Sequence, residues 1–283
     1  MKTLGALSKE IERQFVACGI DEAKLDARLL ISDVLNIEQI DYVLEKEVMV
    51  SDDDYETIMG FVHQRLKRVP MSQIFGEKEF WSRSFKVTPD TLTPRPDSET
   101  LIEAALTYVS EKRTNIKILD LGTGTGCLLL TLLSEITRAT GLGLDISEKA
   151  LDVARENALK LKVSERAEFR FSDWTSNLTE GEKFDIIISN PPYIGLTEKE
   201  SLSPEVKDHE PEIALFSGPD GLDDYRNIAS QIGPYVQEHG CIILEIGYQQ
   251  ASAVKKIFTS QGFNTISLYK DLAGRDRCLL IKK

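Results

Sequence analysis

Beyond residue 116 the chain alternates between short apolar runs of strand length and longer stretches with helical spacing, and this alternation limits the fold more than any other feature. Continuous apolar runs predict strands buried on both faces, with the intervening helices as the cover. Strands are expected at 117–121, 141–145, 168–171, 184–189, 241–246, 265–269 and 278–281, with helices in the first five of the gaps between them. Only residues 270–277 separate the last two, a link too short for a helical crossover, so an antiparallel closing hairpin is expected. The fold class is α/β, with a Rossmann-like, doubly wound sheet of seven strands.

Residues 1–75 carry a different period. Leu4, Leu7, Ile11 and Phe15 recur at helical spacing and Gly19 is placed as a stop. A second helix is expected from Asp21, carrying Leu25, Leu29, Leu30 and Val34. The third begins at an N-cap, Ser51, with Asp52, Asp53 and Asp54 in its first turn. Arg65, Lys67 and Arg68 are expected in its last turn, before Pro70 ends it. These charges suit the helix dipole, so helix stabilisation is the expectation for them rather than partner docking. Over 76–87 the aromatics Phe80, Trp81 and Phe85 predict a hairpin, and Pro89, Pro94 and Pro96 stiffen the chain after it. The domains expected are a helical one at 1–75, a hairpin linker at 76–90 and an α/β domain at 91–283.

Several function classes are disfavoured early. The longest stretch without a charge, 121–134, is short of the roughly twenty apolar residues of a membrane span, and no signal-peptide core follows the N-terminus, so a cytoplasmic protein off the membrane is expected. Cys18, Cys127, Cys241 and Cys278 form no C-x-x-C pair and are expected to be reduced, buried, small hydrophobes. His63, His209 and His239 have no ligand spacing, and no metal is expected. Against 34 basic residues stand 46 acidic ones, a net charge of −12, the wrong overall sign for direct nucleic-acid binding.

The chemistry is concentrated at the C-terminal ends of the expected strands. The first runs into Asp120-Leu121-Gly122-Thr123-Gly124-Thr125-Gly126, a strand-to-helix turn whose glycines let the backbone approach a nucleotide-like ligand. Its spacing departs from the dinucleotide G-x-G-x-x-G, which weakens a nicotinamide reading. Nineteen residues after Gly126, Asp145 ends the second strand and can accept from two ribose hydroxyls, or serve as a cap for the helix near Ser147. After the third strand come Asp173, a candidate acceptor for an adenine amino group, and Trp174, a candidate cover for its ring. Directly after the fourth strand stands Asn190-Pro191-Pro192-Tyr193. Two prolines hold an extended, stiff path, so the Asn190 amide oxygen and the Pro191 carbonyl can both accept from one NH2 group, with Tyr193 offering a ring face to the plane that carries it.

Together these residues resemble S-adenosylmethionine-dependent methyltransferases acting on planar nitrogens. More narrowly, Thr93-Pro94-Arg95-Pro96-Asp97-Ser98-Glu99, the run 184–194, Glu210-Pro211, Asp220-Gly221-Leu222-Asp223 and Asp271-Leu272-Ala273-Gly274-Arg275-Asp276-Arg277 resemble the release factor glutamine methyltransferases over nearly the whole chain. Ser98 stands where threonine is commoner in that pattern. The resemblance implies a class I methyltransferase fold, S-adenosyl-L-methionine as cofactor, and methylation of the glutamine side-chain nitrogen in the Gly-Gly-Gln tip of peptide chain release factors. It further implies that Gly122, Thr123, Gly124, Thr125, Gly126, Asp145, Trp174 and Asn190 hold the cofactor, beside the candidate Asp173, and that Asn190, Pro191, Pro192 and Tyr193 hold the glutamine. A monomer is expected.

The same bracket serves enzymes that methylate exocyclic amines of DNA or RNA bases, and a catalytically silent scaffold is a further alternative. Residues 197–224, just after the bracket, hold nine acidic against two basic residues, a rim expected to repel phosphate and favour a basic protein partner.

Overall fold

The computed structural model describes residues 2–38, 42, 46–109 and 115–282, which form two compact units. The first comprises Met1–Phe75 together with Ser203–His209; the second comprises Gly76–Leu202 and Glu210–Lys283.

In the first unit, α1 (Leu4–Ala17), α2 (Ala23–Leu35), α3 (Asp52–Leu66) and the short α4 (Met71–Phe75) enclose a core that includes Leu7, Ile11, Phe15, Leu30, Ile58 and Val62. Helix α1 stops because Gly19 takes a left-handed φ of 69°, and α3 starts because the Ser51 side chain accepts from the Asp54 amide. Two expectations are corrected. The inward face of α2 carries Ala23, Asp26, Ala27, Leu30 and Ile31, leaving Leu25 exposed, because Asp26 is turned inward to pair with Arg65 at 2.7 Å. The last turn of α3 closes at Leu66, so Lys67 is its cap and Arg68 lies beyond it at φ 67°.

Arg65 and Arg68 are also more than dipole partners. Arg65 joins Asp26 to Glu205, and Arg68 holds Glu205 at 2.9 Å and the Gly19 carbonyl at 2.7 Å. The helix Pro204–His209, 129 residues downstream of α4, is thereby pinned into the helical unit; Gln73 donates to its His209 carbonyl.

The second unit opens with the antiparallel hairpin of β1 (Glu77–Phe80) and β2 (Arg83–Lys86), turned at Trp81 and Ser82, both at positive φ. Helix α5 (Glu99–Tyr108) precedes the sheet. Then follow β3 (Lys117–Leu121), α6 (Cys127–Glu135), β4 (Thr140–Asp145), α7 (Glu148–Lys160), β5 (Ala167–Phe171) and β6 (Phe184–Ser189). After the long connection come α8 (Asp223–Gln231), β7 (Val236–Glu245), α9 (Ala251–Ser260), β8 (Thr265–Lys270) and β9 (Asp276–Lys282). The spatial order is β5-β4-β3-β6-β7-β9-β8. The first five strands run parallel, and β9 enters antiparallel between β7 and β8, as the short final link predicts.

Alternate strand residues serve opposite faces. Ile118, Ile186, Ile188 and Ile243 pack with α5, α6 and the hairpin's Phe80 and Phe85; Leu119, Ile187, Ile242 and Leu244 pack with α8 and α9. The sheet is doubly wound, with its order reversing between β3 and β6, where a ligand crevice forms outside the strand ends.

The expected helix between β5 and β6 is absent. Residues 172–183 form turns instead, because their polar side chains take the backbone: Ser172 accepts from the Asn177 amide, Ser176 from the Asp173 amide and Glu182 from the Thr179 amide. Of the cysteines, Cys241 and Cys278 are buried and Cys127 is half-buried, but Cys18 is exposed because it caps α1 rather than facing the core. Among the described residues no helix is long and apolar enough to cross a membrane.

Candidate active site

A cleft of about 300 Å³ opens at the C-terminal ends of β3, β4, β5 and β6, within the range of small-ligand pockets. Gly122, Thr123, Gly124, Thr125, Asp145, Asp173, Trp174, Asn190 and Pro192 all line it. Three residues expected at the site do not. Gly126 is buried as the left-handed cap of α6, Pro191 is buried beneath its neighbours, and Tyr193 is turned toward β7.

The turn after β3 is held from below. The Thr123 amide bonds the Leu144 carbonyl, and Thr123 Oγ1 donates to Asp120 Oδ2 at 2.7 Å. Asn157, fully buried on α7, donates to the Thr125 carbonyl at 2.9 Å and accepts from the Lys86 amide at 2.7 Å, tying the turn to the hairpin. Gly122, Gly124 and Gly126 all take left-handed φ, and a Cβ on Gly124 would meet nothing within 4 Å. The turn is strained for any other residue but open on its ligand side.

Asp120 is 1% exposed and its Oδ1 has no hydrogen-bond partner. Burial pushes its carboxyl up to about 7, against the bond from Thr123. Asp145 is half-buried and raised by burial, opposed by backbone donors: Oδ2 accepts from the Gly124 amide at 2.8 Å and Oδ1 from the Ser147 amide at 2.9 Å. The cap of α7 is Ser147, not Asp145. Each Asp145 oxygen keeps a further lone pair, so the carboxylate both locks the turn and can accept from a ligand hydroxyl. At the end of β5, Asp173 is exposed, and Trp174, at φ 47°, donates its indole N–H to Asp224 at 3.2 Å while its ring edge lies over Gly122.

On the far wall, Asn190 follows β6 directly. Its Nδ2 lies 3.4 Å from Ser98 Oγ, and Ser98 in turn donates to Glu245 Oε2. The Tyr193 phenol donates to Glu245 Oε1 at 3.3 Å, and burial with this neighbouring carboxyl drives its own ionisation far upward. Glu245, the last residue of β7, is 1% exposed, and burial pushes its carboxyl up to about 7. The Tyr193 carbonyl accepts from Gln250 at 2.9 Å, and Gly221, at φ 72°, passes so close that a Cβ there would stand 2.3 Å from that carbonyl.

Sequence reasoning missed Glu245 as part of this wall. Its signal is a single carboxylate in the otherwise apolar run 241–246, at the C-terminal end of a central strand. The expected acidic rim is neutralised in part: Glu205, Glu210, Glu212, Asp220 and Asp223 each sit in an ion pair, with arginines or, for Glu212, with Lys199. A charge count confined to 197–224 overstated its field, because the pairing arginines, Arg65, Arg68, Arg95 and Arg226, lie outside that segment.

Residues 6–76 match the family described as PrmC N-terminal domain, and residues 112–217 match the one described as Methyltransferase domain. The release factor glutamine methyltransferase of Cereibacter sphaeroides is 42% identical, covering 98% of this chain and 97% of that protein. The protein of the same name from Agrobacterium fabrum is 38% identical, covering 96% and 94%. Among solved structures, the hMettl16 catalytic domain superposes with a TM-score of 0.58 at 14% identity, covering 84% of this chain and 83% of that one, a likeness of fold.

Proposed function

The chain belongs to the release factor glutamine methyltransferase family, and from that premise we propose that it methylates the side-chain amide nitrogen of the glutamine in the Gly-Gly-Gln tip of peptide chain release factors. The observation that carries this reading is the position of Asn190, immediately after β6 on the wall of the cleft that the glycine turn floors.

The residues present fit S-adenosyl-L-methionine. The turn 122–125 is open at Gly124, Asp145 retains acceptor capacity for ribose hydroxyls, and Asp173 and Trp174 suit an adenine edge and face. When bound, this cofactor supplies a methyl group made electrophilic by a sulfonium sulfur.

The protein's task is then to aim a poor nucleophile, since an amide nitrogen's lone pair is delocalised into its carbonyl. Asn190 Oδ1 accepts from the glutamine amide N–H, which orients the nitrogen and raises its electron density. Nothing needs to remove a proton before attack. With the nitrogen so held, it would take up the methyl group that the bound cofactor would supply, and the N-methylated amide, then cationic, would give its proton to water. Pro192 keeps the chain extended and closes the cleft wall beside Asn190.

The helical unit is assigned to partner recognition, because a tripeptide tip offers far less area than specific protein complexes bury. The decisive experiment mixes the enzyme, labelled S-adenosyl-L-methionine, a release factor and total RNA, and asks by mass spectrometry which molecule gains the label. Label on the glutamine supports the reading; label on RNA bases, or on neither molecule, rejects it.

A further inference from the structure

We infer that Glu245 and Ser98 form a hydrogen-bond relay that holds the Asn190 carboxamide with its oxygen toward the cleft, which makes both of them positioning residues for methyl transfer. The inference rests on the reading of Asn190 as the group that grips the acceptor amide.

A side-chain carboxamide is nearly symmetric in shape but opposite in chemistry at its two ends. To receive N–H groups from an acceptor it must present oxygen; flipped, it sets NH2 against NH2. Something on the protein side therefore has to distinguish the two orientations. Asn190 itself cannot do so, because both flips fit the same space.

Ser98 makes the distinction. It closes the turn Pro96–Ser98 at the head of α5, is 2% exposed, and touches both Glu245 and Asn190. A hydroxyl has one proton. Once ionised, above about pH 7, Glu245 only accepts, so the Ser98 proton goes to Glu245 Oε2, and toward Asn190 only a lone pair remains. The Asn190 group facing Ser98 at 3.4 Å is consequently the NH2, which leaves Oδ1 for the cleft.

The same carboxylate fixes the other end of the bracket. Oε1 accepts from the Tyr193 phenol at 3.3 Å, and the Tyr225 phenol bonds the Glu245 main-chain carbonyl at 2.9 Å, holding the strand end still. In the ionised form the two oxygens of Glu245 thus set the polarity of two hydroxyls, one of which sets Asn190. Glu245 lies at 1% exposure with Arg277 and Asp97 as its charged surroundings. Burial of a carboxylate opposes stability, and a hydrophobic residue of similar size would serve packing better.

The test uses the full chain with S-adenosyl-L-methionine and a release factor. Ser98→Ala is expected to lower kcat on the order of tenfold, since an amide free to flip is misaligned much of the time. Ser98→Thr, which keeps the hydroxyl, is expected to restore kcat to within about twofold. In an Asn190→Ala background Ser98→Ala should cause no further loss, because no amide is left to orient. Affinity for S-adenosyl-L-methionine by calorimetry should stay within about twofold throughout. Wild-type kcat in Ser98→Ala, or an undiminished further loss in the Asn190→Ala background, overturns the relay and leaves the bracket standing. Loss of cofactor affinity in proportion to kcat also overturns it, in favour of a merely structural serine. Wild-type turnover in Asn190→Ala removes the bracket itself, and the relay with it.

Discussion

The two halves of the cleft are built by different means. On the side of β3, β4 and β5 the cleft is lined by main chain and by motifs contiguous in sequence: a glycine turn, and carboxylates and an indole set at successive strand ends. On the side of β6 and β7 the Asn190 side chain meets partners far along the chain, Ser98 lying 92 residues from Asn190 and Glu245 lying 147 from Ser98. The first half is shaped by local backbone geometry and the second by tertiary side-chain chemistry. Substitutions should therefore separate binding from turnover according to the half they strike.

The sharpest break is expected at Asn190. Asn190→Ala should lower kcat by roughly a hundredfold or more, as removal of a group that acts on the reacting atoms does. Affinity for S-adenosyl-L-methionine, measured by calorimetry, should change by less than about threefold. Equal loss of both would erase the distinction between the halves.

Next in size is a stability effect confined to the first half. Asn157→Ala leaves the Thr125 carbonyl and the Lys86 amide without their buried partner, a loss of roughly 2–4 kcal/mol. Urea unfolding measures it, and an unchanged midpoint would show that the hairpin does not brace the turn.

Each half also contains a buried carboxyl raised to about 7, Asp120 and Glu245. The folded state then binds protons that the unfolded chain has released, so stability is greatest below the ordinary carboxylate range and falls as pH rises through about 7. Between pH ~5.5 and ~8 each group should contribute on the order of 2 kcal/mol of loss. Asp120→Asn should flatten part of that slope; an identical slope in the variant would mean that Asp120 does not titrate there.

The mildest change is expected from Asp145→Ala, which should weaken cofactor affinity about tenfold and leave kcat at saturating cofactor almost unchanged. A kcat effect larger than the affinity effect would show that the turn also aligns the reaction.

This division explains what could be read in advance. Strands β3 and β6 are legible to the residue because continuous apolar runs end in glycine or in Asn-Pro-Pro, and the β3–β5 half of the cleft is legible because its motifs are contiguous. The connection 172–183 is not the helix that its length suggests, because its serines, Asn177 and Glu182 bond backbone in ways that spacing does not reveal. Glu245 was hidden for a different reason. Inside an apolar run nothing marks which distant hydroxyls will converge on a carboxylate, and the pairing of the acidic rim was hidden likewise, Arg95 standing 115 residues from Glu210.

The excursion of Ser203–His209 into the helical unit bears on how such a chain can be recombined. An exchange of residues 1–75 alone between two relatives would carry Arg65 and Arg68 away from the Glu205 they grew up with, stranding one buried-side carboxylate or two guanidinium groups. The inherited module is thus discontinuous, and chimeras that transplant the seven-residue helix segment along with the amino-terminal portion should express and fold where simple head swaps aggregate.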